Sequence, residues 1–461
     1  MVSYQDFIDA EGRGELMEFV EQAIDKHRQS EEYKVALDAE NYMRKRNTTI
    51  CEFRRLIYDV AGRSMEDPVS ANFKCASGFF KQNVTQLNQY LLANGVSFDK
   101  EETKKKLGGQ MFDSKLAMLS RYALVGGVSF AFLDFDHVTV FKLTEFAPVI
   151  DEEDGAVKAG IRFWQLAENK PLRADIYTLD GVQSCLRKKG EHLEPMEGNE
   201  KPRPYKRIKT TIEAEPNALY EGMNYPTLPI VPCYANYERQ SELVGLKENI
   251  DAYDLTKSGL INDISDMPLV YWVLENASGM SEKDLAYWKA SISRNKVVKT
   301  DDDVRVQANS MGVPYQAQEV MLTRLEKDIY SDSMALNTRE LAAGNVTATA
   351  IRAASEPLNN RADELEYCIR DCIEGLLQIL GIEDEPHFDR SRITNELEET
   401  QKVMLAADIL DNDTKRRKLG WLTPEECDAI PDKMAAEAMD RVSLVNELEA
   451  AGGGEETEEA E

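Results

Sequence analysis

The feature that most constrains this chain is a change of hydrophobic period at YPTLPIVPCYAN, residues 225–236. Pro226, Pro229 and Pro232 fix φ and remove backbone donors, so no helix can cross the tract and an extended connector is expected. Upstream, apolar residues come first at helical spacing and then in alternation. Downstream, helical spacing dominates. The sequence therefore predicts an α+β class, predominantly helical, with an α+β unit over about residues 1–235 and helices after it.

In the first unit, residues 1–66 read as charged helices, with Phe19, Ala23 and Lys26 in an i, i+3/i+4 rhythm. Arg44, Lys45 and Arg46 form a basic island that suits a solvated face or a nucleic-acid contact. Phe80, Val84, Leu87 and Leu91 predict a helix that Asn94-Gly95 terminates. A second helix over 110–123 carries Met111, Lys115, Met118 and Tyr122 on one side. The alternating run 124–144, broken at Asp134 to His137, is a hairpin signal, and further strands are expected at 156–166, 173–190 and 203–211.

Beyond the prolines, Leu243, Leu246, Ile250, Tyr253, Leu260 and Ile264 predict one amphipathic helix over 241–267, opened by Ser241 with Glu242 and closed before Pro268. Residues 268–312 mix two strand-like runs with a short helix. A second helix begins at Pro314, a favoured first position, and runs to about Tyr330 with Ala317, Val320, Leu325 and Ile329 on a face. The stretch 334–348 reads as a loop of short side chains. A third helix, Thr349 to Leu380, has a seam of Ile351, Leu358, Leu365, Ile369, Cys372, Leu376 and Ile379, and Pro357 in its interior predicts a kink near Ala353 to Glu356. Shorter helices are expected over 386–448, with a cap-like TPEE at 423–426, and the Gly- and Glu-rich end reads as disordered.

At 461 residues the chain is too long for one core and suggests two to four structural units. No apolar run reaches the roughly 20 residues that cross a bilayer, and the acidic start lacks a signal-peptide pattern, so no membrane partner and a cytoplasmic site of synthesis are expected. The seven cysteines include no CxxC pair, and Cys368 and Cys372 fall on an apolar helical stripe. With four histidines and no helical ligand pair, neither a metal nor another cofactor is expected. No phosphate loop, HExxH or GxSxG is present, so no catalytic residue is assigned. Asp301, Asp302 and Asp303, or Asp134 with Asp136, are the acidic groups from which a Mg²⁺ nuclease could be built, although such runs also make solvated turns. The net charge of −28 argues against a broad, tight grip on DNA. It suits a solvated exterior or a wall past which DNA slides, and charge does not choose between them.

Four stretches, in order, resemble the portal proteins of siphovirus-type tailed phages. They are NVTQLNQYLLANGVSF (83–98), the tract 228–267 with Asp251, Tyr253, Asn262 and Asp263 at the family's positions, 344–381, and FDRSRITNELEETQKVMLAADIL (388–410). The resemblance runs from about residue 40 to 448. It implies a portal fold that assembles as a ring of about twelve subunits at the capsid vertex, in the virion, after assembly in the host cytoplasm. Double-stranded DNA would be packaged and ejected through the ring. The partners implied are the terminase large subunit, a head–tail adaptor, and the major capsid and scaffold proteins.

Carried onto this chain, the resemblance implies a wing over 1–240 with the kinked helix 349–381 packed on it. It implies stem helices at 241–267 and 314–331, a clip at 268–313, a tunnel loop at 332–348, and a crown with an acidic tail at 382–461. The expected channel residues are Asn337, Thr338, Arg339, Asn345 and Thr347. Expected stem residues are Leu246, Ile250, Tyr253, Ile264, Val320 and Leu325. The clip would offer Tyr271, Trp272, Trp288, Lys296 and Arg305, and Pro357 would mark the kink. The alternatives are a cytoplasmic protein-binding scaffold, which would be monomeric or dimeric, and the Mg²⁺ nuclease.

Overall fold

Alternation between residues 124 and 190 yields two sheets that pack face to face. The computed structural model describes residues 2–58, 62–67, 70–210, 219–266, 271–275, 281, 283–284, 287, 305–309, 315–339, 348–391, 404–405, 411–417, 427–437 and 439. Among these the chain divides into two compact units, Met1–Asn337 with Pro357–Ser391, and Thr338–Glu356 with Arg392–Glu461. The first unit thus runs past residue 240 and includes residues 382–391.

The first unit opens with β1 (Val2–Ser3) and the helices α1 (Tyr4–Arg13), α2 (Leu16–Gln29), α3 (Glu31–Met43) and α4 (Thr48–Glu52). Ser3 and Ser30 cap α1 and α3 by accepting from Asp6 N and Tyr33 N, which satisfies N–H groups that have no partner within the helix. A small hairpin, β2 (Leu56–Tyr58) with β3 (Ser64–Glu66), precedes α5 (Phe79–Leu92), β4 (Val96–Phe98), α6 (Glu101–Lys106) and α7 (Gln110–Gly126). The expected seam of α5 is buried: Phe80, Val84, Leu87 and Leu91. In α7 the stripe that turns inward lies one position, about 100°, from the side that carries Met111, Lys115, Met118 and Tyr122. Phe112, Leu116, Leu119 and Ala123 are buried while Met111 is exposed, because the sheet below accepts the more continuous apolar stripe.

The strands that follow are β5 (Val128–Asp134), β6 (His137–Lys142), β7 (Phe146–Ile150), β8 (Val157–Trp164), β9 (Leu172–Thr178), β10 (Gly181–Arg187), β11 (Glu194–Pro195), β12 (Lys206–Thr210), β13 (Leu219–Met223) and β14 (Ile230–Tyr234). One sheet has the order β1-β7-β8-β9-β10-β11, with β1 parallel to β7 and the other pairs antiparallel. The second has the order β14-β5-β6, so the proline tract contributes an edge strand, the one sheet position where its missing donors do no harm. Asp134 pairs with His137 across the turn, as the pattern predicted.

Successive side chains of the six-stranded sheet point to opposite faces, and both faces are covered. Ala147, Val149, Ile161, Ala174 and Ile176 meet Phe7, Val20 and Ile24 of α1 and α2. On the other face Phe146 and Tyr177 meet Phe130, Phe132, Phe141 and Ile230 of the second sheet. Gly160 makes this interface possible, since a Cβ there would lie 2.0 Å from the Phe146 ring. Helix α7 closes the far side, where Ser129 donates its hydroxyl to Leu119 O at 2.8 Å.

After the proline tract come α8 (Lys247–Asp266), β15 (Tyr271–Glu275), β16 (Arg305–Asn309), α9 (Tyr315–Asp332), α10 (Ala348–Leu380) and β17 (Pro386–Phe388). Helix α8 starts at Lys247, not at Ser241. Residues 242–246 form turns, and Gly245 takes a φ of +82°, outside the right-handed helical region. The helical run of α10 continues through Pro357, and the division between the two units falls between Glu356 and Pro357. Its inward seam is apolar as expected, with Leu358, Leu365, Ile369, Cys372 and Leu376 buried. Cys368 is buried too, and the Cys372 thiol meets Cys233 of β14, where the hydrogen bond between them and then burial hold the Cys233 thiol well above its usual range. Close approach here depends on Gly375, where a Cβ would sit 2.8 Å from Val231. Strand β17 pairs antiparallel with β4.

In the second unit, α11 (Asn412–Arg417) is capped by Asp411, which accepts from Asp413 N and Thr414 N at 3.0 Å. Residues 427–437 are helical and Cys427 is buried. The expected TPEE cap and acidic tail lie outside the described residues.

His27 of α2 is buried, and its Nε2–H donates to Leu143 O at 2.8 Å. Burial, the largest influence, lowers its pKa from 6.5, so the imidazole is neutral in the folded chain. The unfolded chain therefore binds this proton first as pH falls, and stability is lost below about pH 6.5. Denaturant titrations from pH 7.5 to 5 should show this decline, with a shallower slope in His27→Gln. Identical slopes would mean that His27 charges without cost.

Candidate functional site

Helix α8 is held by a ladder of polar side chains spaced four residues apart. Asn262 Oδ1 accepts from Phe73 N at 2.6 Å, Ser258 Oγ from Cys75 N at 2.9 Å, and Asp254 Oδ1 from Ser77 N at 2.8 Å. The chain at 73–77 thus runs antiparallel to α8, and every second backbone N–H is captured. The spacings explain the fit: two extended residues advance about 6.7 Å and four helical residues about 6 Å. Asp254 also accepts from Asn47 Nδ2, and Asp251 accepts from Thr49 Oγ1 at 2.6 Å, from the Tyr42 hydroxyl and from Lys247. Burial pushes the Asp254 carboxyl above its ordinary range, while the Asn47 and Ser77 donors pull it back. Burial and then the Asp251 bond raise Tyr42 to about 12.

This changes the expected seam of α8. Leu246 and Ile250 are buried as anticipated, but below them the buried positions are Asp254, Ser258 and Asn262. Tyr253 is half-buried, with its ring edge-on to Phe79 at 4.9 Å. Ile264 and Val320 are exposed, so neither joins the subunit's own core, whereas Leu325 and Ile329 of α9 are buried. The helices α8 and α9 pair, bridged by Asn249 to Asp332 at 2.8 Å and Gln318 to Asp263 at 3.4 Å. At their far end β15 and β16 form an antiparallel hairpin. Tyr271 and Trp272 lie on its first strand, opposite Asn309 and Ala308, and Arg305 lies on the second, opposite Glu275. Trp288 and Lys296 fall outside the described residues, as do Asp301, Asp302 and Asp303. Asp134 and Asp136 both pair with His137 at the hairpin turn.

The chain leaving α9 is pinned at once. Gln86 of α5 donates to Leu336 O at 3.0 Å and accepts from Leu336 N at 2.9 Å. Asn337 follows, partly buried, and then Thr338 and Arg339, both exposed and helical. Asn345 and Thr347 lie outside the described residues. Arg361 of α10 ties three segments together, donating to Ser333 O at 2.7 Å and to Glu242 Oε2 at 2.6 Å from a nearly buried position. The sequence reading did not find Asp254, Ser258, Gln86 or Arg361. The one available signal was Asp, Ser and Asn recurring at a spacing of four inside a helix, where such residues otherwise weaken it.

Asp254→Ala leaves Ser77 N–H without its acceptor and the Asn47 amide with only Ser77 O, and should lower the unfolding free energy by about 1–3 kcal/mol in urea titrations. Glu248→Ala, on the first turn of the same helix, is the control. An equal effect from both would mean that the ladder does not hold α8.

A family model described as phage portal protein, SPP1 Gp6-like, matches residues 22–440. The portal protein of Bacillus phage SPP1 is 24% identical over 334 residues, an alignment that covers 69% of this chain and 64% of the phage protein. The portal protein of Clostridium phage phiCD119 is 25% identical over 215 residues, 44% of this chain and 47% of its own. Both alignments span less than two thirds of the relative's length. Among solved structures, a chain in the virion of a native gene transfer agent particle is 12% identical, with a TM-score of 0.43 over 74% of this chain and 89% of its own. One in the neck of such a particle, computed with C12 symmetry, is 11% identical, with a TM-score of 0.41 over 75% and 90%. Because the family model matches well over half of its length, the chain belongs to the phage portal protein family, SPP1 Gp6-like.

Proposed function

We propose that this chain is the portal subunit of a tailed phage, closing into a ring of about twelve copies at one capsid vertex. Double-stranded DNA is packaged and ejected through that ring. The observation that carries the reading is the family match over 22–440, in a family that is structural and not enzymatic. Residues 1–240 with the Pro357-bearing helix form the wing, α8 and α9 the stem, the β15–β16 region the clip, 332–348 the tunnel loop, and the residues after α10 the crown.

Three features support the assignment. The helices α8 and α9 flank a small hairpin and so carry it to the far end of a helical pair, where the terminase large subunit and later a head–tail adaptor can reach it. Pinning of Ser333 and Leu336 anchors the first residues of the 332–348 segment, as a loop held at its base would need. A net charge of −28 suits a duct that must not hold DNA. The wing meets the major capsid protein and, during assembly in the host cytoplasm, the scaffold.

Native mass spectrometry with negative-stain imaging tests this. A closed ring of about twelve subunits with a central hole is expected. A stable dimer at every salt concentration would overturn the reading in favour of a scaffold. Within the ring, Asn345→Trp should block DNA packaging while leaving assembly intact. Normal filling of capsids by that variant would remove 332–348 from the channel.

A further inference from the structure

A cleft of about 530 Å³ opens between α3, α5 and α7. The buried Met43 and Val125, with the half-buried Met118, give it an apolar floor, and Arg44, Arg121 and Lys142 stand around it. Glu40, the acid in this lining, is already answered. Thr144 Oγ1 donates to it at 2.7 Å, and the Arg44 and Lys142 cations lie 3.4 and 3.6 Å away. Arg121 is exposed and has no ion-pair partner among the described residues. In a chain of net charge −28, this lining sets three cations against one carboxylate. An apolar floor ringed by cations suits a side chain that is itself apolar and borne between acids, and a space of this size admits an aromatic ring.

The same chain presents such a group elsewhere. Asp363, Tyr367, Asp371 and Glu374 of α10 are exposed and, at about 100° per residue, fall within an arc of about 80°. Tyr367 is 57% exposed, and the exposed Tyr237 is held against the same helix by its N–H, which donates to Glu364 at 3.0 Å. Asp363 pairs with Arg390 at 2.6 Å, whereas Asp371 and Glu374 have no cation against them among the described residues. The cleft and this ridge lie at opposite edges of the sheet β14-β5-β6. Helix α10 meets β14 through Cys372 and Gly375, and Tyr367 projects about 140° from Cys372, away from the sheet. Helix α3 meets the other edge, where Glu40 binds Lys142 at the end of β6. One subunit therefore carries a basic cleft on one side and an acidic, aromatic ridge on the other, which is the arrangement a head-to-tail contact requires.

We infer that the ridge of α10 docks into the α3–α7 cleft of a second copy of this chain, with Tyr367 on Met43 and Met118 and with Asp371 and Glu374 against Arg44 and Arg121. This rests on the portal reading, in which copies stand side by side around an axis, and it names a surface on each side of their lateral contact. Tyr and Arg carry a large share of interface energy, and methionine adapts to the shape of what it meets. Between subunits of the same strong charge, opposite charges at the contact decide which faces meet and in what register.

The test uses the full-length chain. Wild type is first required to form rings by native mass spectrometry, and failure at that step counts against the portal reading itself. Given rings, Arg44→Glu with Arg121→Glu should lower the assembled fraction by about tenfold or more at fixed concentration, and so should Asp371→Arg with Glu374→Arg. All four substitutions in one chain should restore most of that loss. Such rescue separates a contact from misfolding, because independent folding defects add and do not cancel. Rings at wild-type yield in either charge-reversed pair, or a fourfold variant no better than the pairs while its circular dichroism matches wild type, would overturn the inference alone. A second measurement needs no charge reversal. With Cys51 and Cys75 replaced by Ser, Arg121→Cys and Asp371→Cys are combined in one chain and treated with a short bismaleimide linker. A ladder in multiples of 52.1 kDa is expected, and neither single variant should cross-link to itself. Self-linking by Asp371→Cys alone would mean that ridge meets ridge, and no ladder would mean that the cleft serves a different partner; either result overturns the proposal.

Discussion

Capture of the backbone at Phe73, Cys75 and Ser77 by Asn262, Ser258 and Asp254 is the interaction on which the central part of this molecule depends. Without it α8 would present a polar stripe to an apolar interior, and the chain between α4 and α5 would lack a course. A buried carboxylate or amide without partners costs several kcal/mol, whereas here Asp254, Ser258 and Asn262 each accept a backbone N–H. The ladder rests on a coincidence of two repeats, and a shift of one residue in either segment would misalign every rung. Side chains that would be liabilities elsewhere therefore set a unique register.

A second set of fastenings carries that register to the rest of the fold. Arg361 joins Glu242, just before α8, to Ser333, just after α9. Gln86 closes a two-way bond with Leu336. Together they determine where the helix pair begins and where the chain after it departs, using charge-assisted and paired bonds in place of a large apolar interface. The apolar core proper lies in the stacked sheets, where Phe130, Phe141, Phe146 and Tyr177 interleave. In the proposed portal the sheets give a rigid wing and the polar fastenings aim the elements that partners and DNA would meet.

Exposed apolar side chains take on meaning in the same frame. Ile264 and Val320 are exposed on the helix pair, and Leu56 and Met65 on the β2–β3 hairpin. A subunit that left these faces uncovered would be prone to associate, and closed rotational symmetry turns that tendency into a finite object. Strong overall acidity would then oppose indiscriminate association, leaving contacts that are locally apolar and correctly placed.

Local sequence determined the order of elements, because period, prolines and turn residues act over a few positions. The proline tract became an edge strand, Asp134 to His137 became a hairpin turn, and the apolar stripe of α5 was legible residue by residue. The third helix was legible as well, to within one residue at its start. Its Pro357 was expected to kink it, and the helical run passes through that position. Only the tertiary structure decided which face of α7 would turn inward and that α8 would bury Asp254 and Ser258 in place of Leu260 and Ile264. The partners concerned are remote, Ser77 lying 177 positions from Asp254 and Glu242 lying 119 from Arg361. Hydrophobic period reports the spacing of a face, but the worth of a buried polar group depends on a donor or acceptor that arrives from elsewhere in the chain. For that reason the sequence specified the helices, and folding alone specified what holds them.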